Sequence, residues 1–185
     1  MSHRFNKGGY VGGRDLLLLV IIVLLIFQNP PVPKTVAESS KMPGQMSISA
    51  AWPEGHVDVD LWVQGPGDRP VGYSNRAGKI FNLLRDDIGD SEKTPTNYEN
   101  VYSRGLPAGE YIINLHCYSR CRNPETVGVE IRFGQADSMK LLAEEVVQLA
   151  PTQERTVLRF RLDGKGSVVP GSVNRVFFPL RAAKQ

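Results

Sequence analysis

Residues Glu110–Tyr118, EYIINLHCY, decide the fold. Tyr111, Ile113, Leu115 and Cys117 alternate with Ile112, Asn114, His116 and Tyr118. A period of two is the signature of a β-strand, because successive side chains leave a pleated backbone on opposite faces. The same period recurs on either side. HVDVDLWV sets Val57, Val59, Leu61 and Val63 against Asp58, Asp60 and Trp62. TVGVEIRF aligns Val127, Val129, Ile131 and Phe133, and RTVLRFRL aligns Leu158, Phe160 and Leu162. GPGD, LPAGE and LDGKG fall between these segments as turn signals. Only SMKLLAEEVVQLA is compatible with a helix, and it reads at least partly as strand. Short strands at this spacing predict an all-β sandwich over residues 46–185.

The bulk properties fit that reading. The chain has 185 residues, 41% hydrophobic and 22% charged, which is enough for one membrane or export segment, a linker and one domain. The net charge of +3 is spread without a basic block, so nucleic acid is not an expected partner. Histidines occur only at positions 3, 56 and 116, and no nucleophile elbow, HExxH motif or phosphate-binding glycine loop is present. His116 and Cys117 cannot pair on one strand, since adjacent side chains diverge. No enzymatic activity is expected.

Towards the N-terminus the texture changes. Asp15 stands directly against twelve unbroken apolar residues, Leu16 to Phe27. Twelve helical residues rise about 18 Å, whereas a bilayer core is about 30 Å thick. In a spanning helix Asp15 would therefore lie close to the hydrocarbon, where an ionisable group signals function. Arg4, Lys7 and Arg14 precede the run and no positive charge follows it until Lys34. The positive-inside rule then predicts a cytoplasmic N-terminus (1–14), a transmembrane anchor (15–31), a proline-rich linker (32–45) and an exported domain. This places the chain in the inner membrane as a single-pass protein with a periplasmic domain. A cleaved secretory signal ending at KTVA, before Glu38, is the alternative. Prolines at 30, 31 and 33 and the distance from Phe27 to Ala37 weigh towards the anchor.

Asp15, LLLLVIIVLLIF and QNPP, in that order, resemble the N-terminal segment of the ExbD/TolR family and more loosely that of MotB, over Gly12 to Pro31. These are B subunits of ion-driven 5:2 motors. The resemblance implies that Asp15 carries the ion, a proton, and that the chain works as two copies. Its partners would be a polytopic ExbB/TolQ/MotA-like subunit and an envelope component. Arg14 departs from the family pattern and offers Asp15 a plain ion pair instead. The β-domain does not resemble the C-terminal domains of these motor subunits. DVDLWVQGPGDRPVGYSN, LLRDDIGD and NYENVYSRGLPAGEYIINLHCYS, within Val57 to Ser119, are similar to a small all-β family of secreted and envelope proteins of unknown function. A tethered or secreted β-sandwich that binds carbohydrate, protein or calcium is thus the rival to a motor subunit.

Two groups of residues are candidate sites in the domain. Asp58, Asp60, Asp86, Asp87, Asp90, Glu99 and Asn100 are oxygen donors of the kind a hard cation such as calcium takes. Asp58 and Asp60 share a strand face, but no EF-hand spacing occurs, and a solvated acidic face with turn-forming aspartates is the reading these residues favour. Cys117 and Cys121 have no histidine at zinc spacing. Outside the cytoplasm they would close a small disulfide loop, and otherwise they are two thiols at a strand end.

Overall fold

The computed structural model describes residues 45–53, 55–89, 97–121, 123–134 and 138–181. The expected anchor (15–31) with Asp15, and Asp90, lie outside the described residues. Among the described residues no helix is long and apolar enough to cross a membrane.

Eight strands form two antiparallel sheets. They are β1 (Met46–Trp52), β2 (Asp58–Gln64), β3 (Phe81–Arg85), β4 (Asn97–Ser103), β5 (Gly109–Ser119), β6 (Glu125–Phe133), β7 (Lys140–Leu149) and β8 (Glu154–Leu162). One sheet has the order β3-β4-β1-β6-β7 and the other β2-β5-β8. The ambiguous stretch SMKLLAEEVVQLA is strand β7, an edge strand in register with β6 from Glu125↔Leu149 to Phe133↔Lys140. Leu141 and Val146 remain exposed on it, which is why its pattern lacks a clean alternation.

The core lies between the sheets and is built from the alternating residues: Ile48 and Ala50 of β1, Val59, Leu61 and Val63 of β2, Tyr111, Ile113 and Leu115 of β5, Leu158 and Phe160 of β8. Tyr111 stacks on Phe160 at 5.3 Å and meets Phe81 edge-on at 6.0 Å. Its hydroxyl donates to the Pro107 carbonyl at 2.7 Å, a tyrosine-corner arrangement that pins the LPAGE turn to the start of β5. Burial pushes that phenol up to about 12.

Alternation alone leaves the outer face of the three-stranded sheet open. The structure covers it. The chain after β8 runs beside that strand, where Arg159 and Asn174 exchange backbone hydrogen bonds at 2.8 and 2.9 Å. It then folds over the sheet, and Leu180 packs with Trp62, Ile112 and Tyr73 in a second apolar cluster. Glu154 holds this strap: its Oε1 accepts from Asn114 Nδ2 at 2.7 Å and from the Leu180 amide at 2.8 Å. Asp60, Asn114 and His116 are buried as a result, although they lie on the polar side of their strands.

Candidate functional site

A cleft of about 390 Å³ opens at the end of the three-stranded sheet. Strand β2 and its entry contribute His56, Asp58 and Asp60, and the exit of β3 contributes Asp86 and Ile88. Tyr73 forms a further wall. The last wall is the loop Tyr118–Ser119–Arg120. Those three residues are the interior of the ring closed by Cys117 and Cys121, which are joined as a disulfide with their Cα atoms 6.3 Å apart. Within that ring Arg120 adopts the left-handed region, φ 63°, a conformation uncommon for a non-glycine residue. The pairing of β2 with β5 passes from Val59↔Cys117 to Asp58↔Ser119, so Tyr118 bulges out of the ladder. A bulge re-aims the side chain that it releases. Tyr118 is 51% exposed and meets Tyr73 edge-on at 5.4 Å.

Acids line the cleft and continue beneath it. Asp60, Asp86 and Glu99 each place a carboxylate oxygen within 4.8 Å of the others. Glu99 reaches this point because β4 alternates: Asn97, Glu99, Val101 and Ser103 face inwards, and Tyr98, Asn100 and Tyr102 do not. With 0% exposure, Glu99 is an ionisable group inside the sandwich. Its Oε2 accepts the Leu61 amide at 2.7 Å, satisfying an N–H on the free edge of β2. Its Oε1 is buried with no N–H donor among the described residues, and the side chain lies within hydrogen-bonding reach of the Asp86 carboxyl.

A hydrogen-bonded chain runs behind Asp60. Arg181 Nη1 lies 2.7 Å from His116 Nε2, and His116 Nδ1 lies 2.9 Å from Asp60 Oδ2. A guanidinium only donates, so Nε2 is the acceptor and the ring proton sits on Nδ1, donated to Asp60. One oxygen of Asp60 is thereby committed and the carboxylate is oriented. Asp86 has a looser partner, Arg76 at 3.7 Å, whose side chain is largely exposed.

Crowding of acids shapes their protonation. Burial, then Asp60, Asp86 and Asp87, push Asp58 up to about 7. Burial also raises Asp60, against the opposing pull of His116 and Arg181. Glu99 is raised well above the usual carboxylate range, first by burial and then by Asp60 and Asp86, although the Leu61 amide works the other way.

Three of the seven candidate donors, Asp60, Asp86 and Glu99, therefore converge, and Asp58 lines the same cleft. Asp87 does not join them as a donor, because its oxygens are engaged by the amides of Gly89 at 3.1 Å and Tyr98 at 3.3 Å and by Arg85 at 3.5 Å. It shapes the turn that carries Asp86. Gly89 completes that turn at φ +61°, and a Cβ there would lie 3.1 Å from the His56 carbonyl oxygen. Asn100 faces away, donating to Ser49 Oγ at 2.6 Å and Ser47 Oγ at 3.2 Å, since one step along β4 reverses the side chain. Asp90 and Asp15 lie outside the described residues. Tyr73, Tyr118, His116 and Arg181 were not among the sequence candidates. His116 sits at the same strand parity as Asn114, a polar signal that only a covered outer face makes meaningful. No family model, curated protein or solved structure matches the chain.

Proposed function

We propose that this chain is a membrane-tethered binding module, not an enzyme, whose cleft takes a hydroxyl-rich ligand of the saccharide class. The observation that carries this reading is the pairing of two tyrosines with a row of carboxylates around one cleft. The rings of Tyr73 and Tyr118 offer apolar faces to C–H surfaces, while Asp58, Asp60 and Asp86 accept hydroxyl hydrogen bonds. A few polar groups that fix orientation within a concave, partly apolar wall are typical of small-ligand sites. The N-terminal basic flank and the Cys117–Cys121 disulfide both favour placing the module in the periplasm, behind an inner-membrane anchor.

The test is binding of the full-length chain in detergent to a panel of soluble saccharides. Tyr118→Ala removes a half-exposed ring without opening the core and is expected to weaken binding at least tenfold, about 1.4 kcal/mol. A panel without a binder, or an unaffected Tyr118→Ala protein, would end this reading.

The N-terminal segment supports a second reading, in which the same chain is the B subunit of an ion-driven motor and the β-domain is its envelope-side element. Asp15 against Leu16–Phe27 is the observation in its favour. It requires a polytopic partner and a second copy of the chain. Asp15→Asn keeps size and hydrogen bonding but removes titration, so insertion and partner binding should survive while the phenotype is lost. A silent Asp15→Asn change, matched by a silent Arg14→Ala change, would reduce Asp15 to one half of a surface ion pair.

A further inference from the structure

We infer that Asp60, Asp86 and Glu99 bind one hard divalent cation, calcium, beneath the cleft that Asp60 and Asp86 line. This deepens the binding-module reading and rests on it only for what fills the cation's outward positions. The convergence of acids does not carry the inference by itself. What points to a ligand is Glu99: fully enclosed, one oxygen spent on the Leu61 amide, the other without an N–H donor among the described residues and facing only another acid, Asp86. Leaving a buried polar acceptor without a donor is among the costlier local defects a fold tolerates. Three nearby cations have other partners. Arg181 is spent on His116, Arg76 approaches Asp86 from the exposed side, and Arg85 addresses Asp87 and the Tyr98 carbonyl. Among the described residues no ion pair reaches Glu99.

The chemistry of the set selects the ion. All three donors are carboxylate oxygens, which suits a hard cation over zinc or copper. Calcium takes about six to eight oxygens and is readily held by several protein carboxylates, whereas magnesium keeps several of its waters, so a cluster of three carboxylates within 4.8 Å of one another suits calcium better. Asp60 is held for this role by the His116–Arg181 chain, as a metal-ligating carboxylate is held by its own hydrogen bonds. Asp58 lines the same cleft, and the open side leaves positions for water or ligand hydroxyls.

The experiment uses the full-length chain in detergent, stripped with EDTA at pH 7.5 and containing no saccharide. Calcium and magnesium are titrated separately by calorimetry and thermal melting. Terbium serves as an oxygen-seeking luminescent probe, excited through the neighbouring Trp62 and Tyr73, whose rings lie 5.5 Å apart. One calcium per chain, a higher Tm with millimolar calcium than with equal magnesium, and calcium-displaceable terbium emission are expected. Glu99→Gln keeps an acceptor for the Leu61 amide, so it should fold with the same far-UV spectrum and bind calcium at least tenfold more weakly. Asp86→Asn, outside the strands, should do likewise. No saturable calcium, equal effects of magnesium, or wild-type affinity in both variants would overturn the inference. In that case Glu99 and Asp86 share a proton instead. Saccharide binding is measured apart, with and without EDTA. Calcium bound without any saccharide ligand would sink only the module reading, and EDTA-insensitive saccharide binding without calcium would sink only this one.

Discussion

Replacing His116 by alanine tests the wiring of the site without any ligand. The imidazole is 4% exposed and bridges Asp60, itself 3% exposed, to Arg181 through contacts of 2.9 and 2.7 Å. Two hydrogen bonds to charged groups are lost, each worth about 1.5–3 kcal/mol, and Asp60 is left enclosed without its donor. Water entering from the cleft offsets part of this. The expected net loss is about 3–4 kcal/mol, within the range for breaking a buried charged pair and a large share of a typical stability of about 5–15 kcal/mol. For a domain of this size that lowers Tm by roughly 10–15 °C. The assay is urea and thermal unfolding of the full-length chain in EDTA, followed by circular dichroism. A double-mutant cycle with Asp60→Asn separates the interaction from the cavity, and the coupling should exceed about 1 kcal/mol. The calcium affinity of His116→Ala should also fall several-fold, because Asp60 loses its orientation. Loss of less than about 1 kcal/mol, with effects of the two substitutions that simply add, would refute the reasoning and leave His116 as packing.

In cation-free buffer, stability should fall as pH rises from about 4 towards 7. The native state holds a proton on Asp58 up to about 7, against an ordinary value of 3.8, with Asp60 and Glu99 shifted in the same direction. Unfolding thus releases protons in that window, and the stabilisation present below it is lost as the native carboxyls ionise. Millimolar calcium should flatten this slope, and a urea midpoint that climbs steadily from pH 4 to 7 without calcium would contradict it. Reducing the Cys117–Cys121 bond frees a ring of about five residues, worth about 2 kcal/mol by loop entropy. Dithiothreitol should therefore lower Tm by several degrees and, since Tyr118 and Arg120 belong to the ring, weaken saccharide binding; unchanged binding after reduction would show that the ring does not shape the cleft.

The local sequence determined the strands. Alternation is a property of neighbouring residues, so Tyr111, Ile113 and Leu115, or Val59, Leu61 and Val63, declare an inward face before any partner strand is known. The period of two also separates Glu99 from Asn100 once β4 is recognised, since Glu99 shares its parity with the buried Val101. Strand β7 was ambiguous for a local reason: an edge strand with exposed Leu141 and Val146 has no strict inward set to reveal its period. What tertiary structure alone decided is which polar residues are enclosed and with whom. Asp60 meets His116 across a strand pair, 56 positions away, and His116 meets Arg181, 65 positions away. Glu99 crosses from one sheet to cap an amide on the edge of the other, 38 positions away. No window of sequence contains such pairs. The first two exist because the segment carrying Leu180 and Arg181 lies over a face that alternation left polar, the third because the two sheets pack face to face, and enclosure turns carboxylates that would be ordinary in water into a site that demands a positive partner.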